Sequence, residues 1–203
     1  MEITELKQIG KSENFRVFLD GNYVCNLSKE TLVKNKIVCG MEIDKKTLEN
    51  LQFESEKIVA FEKASGYLAK GLKSQKEVFD YLKNKGYMPQ ICQYVVDKLK
   101  GYKYIDDLQY CQNYVRSYQN QKGKKALEYA LLQKGISKDV IELATRDLDQ
   151  NQAAVEIAKK YTKNKEKNLK TKQSLYRYLL SKGFDYSLAN YATNAVFKED
   201  DYE

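Results

Sequence analysis

Beyond residue 53 the apolar positions fall at i, i+3, i+4 and i+8, the stripe that an amphipathic helix turns toward a core. The stripe is written three times. Ile91, Tyr94, Val95 and Leu99 match Val140, Leu143, Ala144 and Leu148, and these match Leu188, Tyr191, Ala192 and Val196. Upstream, Val78, Leu127 and Leu175 hold corresponding places. Between the runs lies a repeated string: Leu82-Lys83-Asn84-Lys85-Gly86-Tyr87, then Leu131-Leu132-Gln133-Lys134-Gly135-Ile136, then Leu179-Leu180-Ser181-Lys182-Gly183-Phe184. Its glycines stand 49 and 48 residues apart, a period that signals an array of similar units.

The string reads as a helix stop. Glycine just past a helix takes the left-handed conformation that closes the last turn, and the next residue packs back onto the helix. This predicts Tyr87 over Leu82, Ile136 over Leu131 and Phe184 over Leu179. The preceding lysine suits the negative end of the helix dipole. Each repeat then has a helix, a tight glycine turn and a helix with one buried face, preceded by a further helix.

In the first repeat the helices are expected at 54–70, 74–85 and 89–100. Ser74 and Glu77 fit a capping box, and Pro89 suits a first helical position. In the second they are expected from Asp106-Asp107 onward, at 122–134 and at 137–148. The third begins near Gln150, with Ala154, Ile157, Ala158 and Tyr161 inward, and continues at 167–182 and 185–197, where Asp185 is a cap. Adjacent carboxylates such as Asp106 and Asp107 do not face each other on a helix, so a cap and a dipole contact explain them better than acid/base chemistry.

The first 53 residues break the helical period. Ile3–Ile9, Phe15–Leu19 and Tyr23–Leu27 read as strands, and Asp20-Gly21 between the last two is a strong hairpin signal. Ser28 caps a short helix through Lys34 that turns Leu32 and Val33 inward, and Asp44 caps another that carries Leu48 and Leu51. The expected organisation is mainly α: a β-hairpin/helix module over 1–53, three-helix repeats over 54–101, 102–149 and 150–198, and an acidic tail at 199–203.

Composition adjusts this picture modestly. With 42% hydrophobic residues and one proline among 203, several small cores are expected in place of one large one. The net charge of +7 suits an acidic partner, nucleic acid or an acidic protein face, although solubility alone would also account for it. The four cysteines are scattered and no histidine exists to complete a zinc set, so reduced intracellular thiols are the expected state and no metal is called for. No run approaches the ~18 apolar residues of a membrane span, and Met1-Glu2-Ile3-Thr4-Glu5 lacks the plan of a secretory signal, so a cytoplasmic protein is expected.

Catalytic constellations are missing. There is no Gly-rich phosphate loop, no nucleophile elbow and no histidine base, which favours a non-enzyme without cofactors. One charge concentration stands out. Lys159, Lys160, Lys163, Lys165, Lys167, Lys170, Lys172, Arg177 and Lys182 face the single carboxylate of Glu166, with Tyr161, Tyr176 and Tyr178 interleaved. Such a run grips phosphates and stacks bases, or it is a solvated face with its tyrosines in the core. Lys122, Lys124 and Lys125 form a weaker cluster at the matching place in the second repeat.

Taken together, the residues resemble the RecX family of bacterial recombination regulators. The resemblance is carried by Leu19-Asp20-Gly21, by Ser74-x-x-Glu77-Val78-x-x-Tyr81-Leu82-x-x-Lys85-Gly86, and by Tyr104-Ile105-Asp106-Asp107-x-x-Tyr110 followed by Tyr114-Val115-Arg116. It continues through Lys122-Gly123, Leu131-x-x-Lys134-Gly135-Ile136 and Leu179-x-x-Lys182-Gly183-Phe184. It implies tandem three-helix repeats in an elongated, curved array. It also implies a protein that binds the RecA recombinase and its filament on single-stranded DNA, limits filament growth, and lowers ATPase and strand-exchange activity; a monomer is expected. Charge and position, not the family pattern, nominate Arg116, Lys122, Lys124, Lys125, Lys159, Lys160, Lys163, Lys165, Lys167, Lys170, Lys172 and Arg177 for contact with RecA or DNA. The alternative is a sequence-nonspecific nucleic-acid-binding helical array.

Overall fold

The structure, a computed structural model, describes residues 1–198; the acidic tail expected at 199–203 lies outside the described residues. It is mainly helical, with strands β1 (Ile3–Gln8), β2 (Asn14–Leu19) and β3 (Asn22–Ser28) ahead of the helices. The helices are α1 (Lys29–Lys34), α2 (Lys45–Leu68), α3 (Gln75–Asn84), α4 (Pro89–Gly101), α5 (Asp107–Tyr118), α6 (Lys124–Gln133), α7 (Lys138–Thr145), α8 (Asn151–Thr162), α9 (Leu169–Ser181) and α10 (Tyr186–Lys198). The chain divides into two compact units. One holds residues 1–73 and 77–105; the other holds 74–76 and the chain from 106 onward.

The first unit opens with a three-stranded antiparallel sheet in the order β1-β2-β3. Asp20 at φ 47° and Gly21 at φ 80° make the β2–β3 turn with positive φ at both positions, the geometry that follows strand twist. Ile3, Val17, Leu19 and Leu27 on the sheet meet Leu32, Leu48 and Leu51 in one core. Ser28 caps α1 by accepting from the Thr31 amide, and Asp44 caps α2 by accepting from the Thr47 amide.

Two expectations change here. Val33 is 70% exposed: α1 has only six residues, and its one buried face is Thr31 and Leu32. A single 24-residue helix, α2, runs where two were expected to meet at residue 53. Its first half buries Leu48 and Leu51 against the sheet, and its second half buries Ala60 and Ala64 against α3 and α4. No glycine or proline interrupts residues 45–65, so nothing in the backbone stops it. Its alanines at i and i+4 present a low surface to the neighbouring helices.

The three glycine turns form alike. Gly86, Gly135 and Gly183 have φ of 90°, 78° and 90°. The amides of Tyr87, Ile136 and Phe184 each donate to the carbonyl five residues back, on Leu82, Leu131 and Leu179, at 3.3 Å. The glycine amides donate to Lys83, Leu132 and Leu180. This is the double-bonded Schellman closure. Leu82, Leu131 and Leu179 are fully buried beneath it, as are Val78, Leu127 and Leu175 one turn earlier. Lys36 (φ 52°) and Lys103 (φ 59°) close α1 and α4 in the same way without glycine, which no sequence signal announced.

The closing helices of the repeats differ from expectation in one register position. Tyr94, Leu143 and Tyr191, expected inward, are 43%, 50% and 56% exposed. Cys92, Ile141 and Ala189 are buried in their stead. In the second and third repeats the closing helix packs against both other helices of its trio. Its buried face is therefore centred between i and i+1, and i+3 falls on the rim.

The second unit contains two helical trios, α5–α7 and α8–α10, each with its own core. Cys111, Val115, Leu127, Leu131 and Ile141 fill the first; Ala154, Ala158, Leu175, Leu179, Phe184 and Ala192 fill the second. Asp106 caps α5 by accepting from the Gln109 amide. The trios are clamped together by backbone. The Gly123 amide donates to the Lys182 carbonyl at 2.8 Å, and the Lys125 amide to Gly183 at 3.1 Å. A Cβ on Gly123 would collide with the Gly183 and Phe184 backbone. Buried Gln150 adds two bonds from Nε2, to the Gln119 carbonyl at 2.9 Å and the Lys122 carbonyl at 2.8 Å. Residues 74–76 follow the same plan within this unit. The Ser74 hydroxyl donates to the Lys134 carbonyl at 2.7 Å, and Asp107 accepts from the Gln75 amide at 3.0 Å. Asp107 thus holds a neighbouring helix start besides lying in the first turn of α5.

Candidate partner and nucleic-acid interface

The basic run is built by the end of α8, the α8–α9 loop and α9. Lys159 and Lys160 lie in the last turn of α8, where cations meet the negative end of the helix dipole. The loop carries Lys163, Lys165 and Lys167, all exposed. Asn168 caps α9 by accepting from the Thr171 amide at 2.9 Å. On α9, Lys170, Gln173 and Arg177 are exposed at i, i+3 and i+7, one solvent-facing stripe. Lys172 and Tyr176 are half-buried on the flank toward α10.

The interleaved tyrosines belong mainly to the packing. Tyr161, Tyr176 and Tyr178 are partly buried against the third-repeat core. Tyr161 and Tyr178 stack with centroids 4.5 Å apart, and Lys165 lies 3.1 Å from the Tyr161 centroid. Lys182 sits over Tyr178 at 5.3 Å, and Lys172 lies 5.9 Å from the Phe197 ring. Cation–π contacts of this kind hold lysine stems in place at about 0.5–1 kcal/mol each while leaving the charge at the surface. Lys167 is committed more firmly: its Nζ donates to the Val196 carbonyl at 3.1 Å, near the end of α10.

The second cluster meets the third repeat. Lys125 stands over Tyr186 at 5.2 Å and beside Asp185. The Leu188 amide, then the Ser187 hydroxyl, hold the Asp185 carboxyl below its ordinary range, and the Lys125 charge adds to this. Lys124 pairs weakly with Glu128 at 4.0 Å. Lys122 is half-buried, 4.9 Å from the Tyr118 centroid and donating to the Tyr114 hydroxyl at 3.3 Å. Arg116 is exposed in the last turn of α5. The fold therefore brings Lys125 alongside the α9–α10 turn, whereas Lys122 and Lys167 spend part of their bonding capacity inside the protein.

Two matching grooves open in the second unit, one per trio. Each holds about 390 Å³. Lys124, Glu128 and Glu142 border the groove between α6 and α7. Leu169, Lys172, Tyr176, Arg177, Asn190 and Thr193 border the groove between α9 and α10. Sequence reasoning passed over both, since their walls come from helices that are only adjacent after folding.

Among the described residues no His/Cys/Asp/Glu group could hold a metal ion, and no helix is long and apolar enough to cross a membrane. Cys25, Cys92 and Cys111 are buried free thiols and Cys39 is exposed. Burial pushes the Cys111 thiol up to about 11, with the Asp107 carboxylate adding to the rise.

Each helical trio matches a family model. Residues 60–99 match the first three-helix domain of RecX, 106–144 the second and 147–193 the third. The chain belongs to the RecX family. It is 34% identical to "Regulatory protein RecX" of Bacillus licheniformis over 97% of this chain and 76% of that one. A Clostridium botulinum protein of the same description is 33% identical over 92% of both chains. The fold is shared with the crystal structure of regulatory protein RecX, at a TM-score of 0.75, 22% identity and 98% of both chains. It is also shared with that of RecX from Lactobacillus salivarius, at 0.65 and 24% identity, over 71% of this chain and 97% of that one.

Proposed function

We propose that this chain is a regulatory protein that binds the RecA recombinase and its filament on single-stranded DNA, limiting filament growth and lowering ATPase and strand-exchange activity. The observation that carries the reading is the family match across all three helical trios. The surface of the third repeat supports it, because nine cations stand there against one carboxylate between residues 159 and 182. Exposed cations such as Lys160, Lys163, Lys170 and Arg177 pair with acidic RecA surfaces or phosphates. Several weak contacts from tandem repeats add up along a repetitive partner. The protein acts by binding and not by catalysis, in the cytoplasm, where its partner works.

The test is a titration of RecA's DNA-stimulated ATP hydrolysis with this protein. Suppression should appear well below stoichiometric coverage of the DNA and persist with free DNA in excess. If excess free DNA abolishes suppression, the protein merely competes for DNA, as a nonspecific nucleic-acid-binding array would.

A further inference from the structure

We propose that an exposed apolar strip across α1, α2 and α4, within the first unit, docks a protein segment of the RecA recombinase and not nucleic acid. This deepens the regulatory reading above and rests on it.

The strip follows two neighbouring clefts, of about 340 Å³ and about 150 Å³, that share Ile58 and Glu30. Val33 borders the larger cleft and is 70% exposed; Tyr94 borders the smaller and is 43% exposed. From the smaller cleft the surface continues through Lys98, whose Nζ lies 4.7 Å from the Phe61 centroid. Tyr102 meets Phe61 edge-on at 6.0 Å, and Tyr104 lies 5.9 Å from Tyr102. Tyr102 and Tyr104 are 55% and 62% exposed. Apolar side chains gathered at a surface mark a protein contact, and tyrosine is enriched in such contacts.

The shared plan of the trios does not require this face. Buried Ala60 and Ala64 correspond to Cys111 and Val115 and to Ala154 and Ala158. At the register of Lys57 the second and third trios then have Leu108 and Asn151, and at that of Lys98 they have Asp147 and Ala195. The aromatic seats of these two lysines belong to the first trio alone. Lys57 Nζ lies 4.5 Å from the Phe53 centroid and 4.9 Å from that of Tyr94, so its charge is already in place before a partner arrives.

Charge decides the kind of partner. Lys29 pairs with Glu13 at 3.2 Å and Lys34 with Glu54 at 3.7 Å, which settles half of the charged groups bordering the clefts. The others sort by sign: Glu30 and Glu62 border the larger cleft, Lys57 and Lys98 the smaller. None of these four forms an ion pair among the described residues. A polyanion gains at the lysine end and is repelled at the glutamate end. A protein segment can set cations at Glu30 and Glu62, carboxylates at Lys57 and Lys98, and apolar side chains over Val33, Ile58 and Tyr94. The strip thus differs in kind from the basic run of the third repeat, which suits anions of either source.

The full chain is immobilised, and its affinities for RecA without DNA and for an oligothymidylate are measured side by side at about 0.15 M salt, where distant charges are screened. Lys57→Glu with Lys98→Glu should weaken RecA binding about tenfold or more and leave the oligothymidylate affinity unchanged. Lys57→Gln with Lys98→Gln removes the charges without reversing them and should weaken RecA about fivefold at an unchanged melting temperature. Val33→Ser, in solvent, should weaken it about threefold, again without a change in melting temperature. A photoreactive benzoylphenylalanine in place of Tyr102 should crosslink to RecA. If the unaltered chain binds RecA and the lysine variants bind it equally well, or Tyr102 gives no crosslink, the proposal is overturned and the regulatory reading stands. Equal losses for RecA and oligothymidylate would overturn it in favour of nucleic acid, and crosslinks between two copies of the chain in favour of self-association. An unaltered chain that ignores RecA would remove the regulatory reading and this proposal together.

Discussion

The second and third repeats are two uses of one scaffold. They share a buried leucine pair, Leu127 and Leu131 against Leu175 and Leu179, and a Schellman closure on Gly135 and Gly183. They share a groove of about 390 Å³. They part at the groove walls, where Glu128 and Glu142 stand in place of Tyr176 and Asn190, and at a buried threonine, bonded as Thr145 and without a hydrogen-bond partner among the described residues as Thr193. What holds the trio together is thus separate from what the trio presents. The common positions are apolar and buried; the divergent ones sit on the flank where α6 meets α7 and α9 meets α10.

The comparison breaks most severely at the shared joint. Gly183→Val places a branched side chain at φ 90°, where even a Cβ would lie 2.5 Å from Ala126. Strain and overpacking together should cost about 3 kcal/mol or more in urea unfolding. Gly86 has the same φ but nothing within 4 Å of a Cβ, so Gly86→Ala should cost only about 1–2 kcal/mol. Equal losses at the two sites would show that backbone conformation alone, and not the close approach to Ala126, sets the cost.

Next in size is the side-chain clamp between the trios. Gln150→Ala leaves the Gln119 and Lys122 carbonyls without their partner and should destabilise by about 2 kcal/mol. Smaller, but sharper for the comparison, are the paired threonines. Thr193→Val should stabilise by about 1 kcal/mol because it removes a buried unpaired hydroxyl. Thr145→Val removes a bonded one and should lose about 0.5–1 kcal/mol. Changes of the same sign in both, measured by thermal unfolding, would erase the distinction between the bonded and the unbonded threonine.

A separate prediction is a pH dependence confined to the second repeat. Cys111, pushed up to about 11 by burial, keeps its proton where the thiol of the unfolded chain, with its ordinary value of 9.0, has lost one. Its contribution is fully present below pH 9 and declines as pH rises from there to about 11. Cys111→Ser should flatten that part of the stability–pH curve. Thiol titration at pH 8 should label exposed Cys39 well before Cys111.

Much of this was legible in the linear pattern because its causes are local. The Asp20-Gly21 turn, the caps Ser28, Asp44 and Asp106, Pro89 at a helix start and the three glycine closures depend on bonds within a few residues. The rim residues Tyr94, Leu143 and Tyr191 were misplaced because helical period gives the width of a buried face but not its centre, which the neighbouring helices decide. The cations of 159–182 could be counted from composition. Which of them are tied down, as Lys167 is to Val196, depends on where α10 ends in space.

The amino-acid sequence alone determined three helical trios, their closing turns and a basic third repeat, since periodicity and capping act over one or two helical turns. The tertiary structure alone decided that α2 serves two cores, that Gly123 and Gln150 lock one trio to the next, and that the Thr193 hydroxyl is buried without a hydrogen-bond partner among the described residues. Those facts arise from surfaces tens of residues apart in the chain, and a one-dimensional pattern carries no record of which helix will lie beside which.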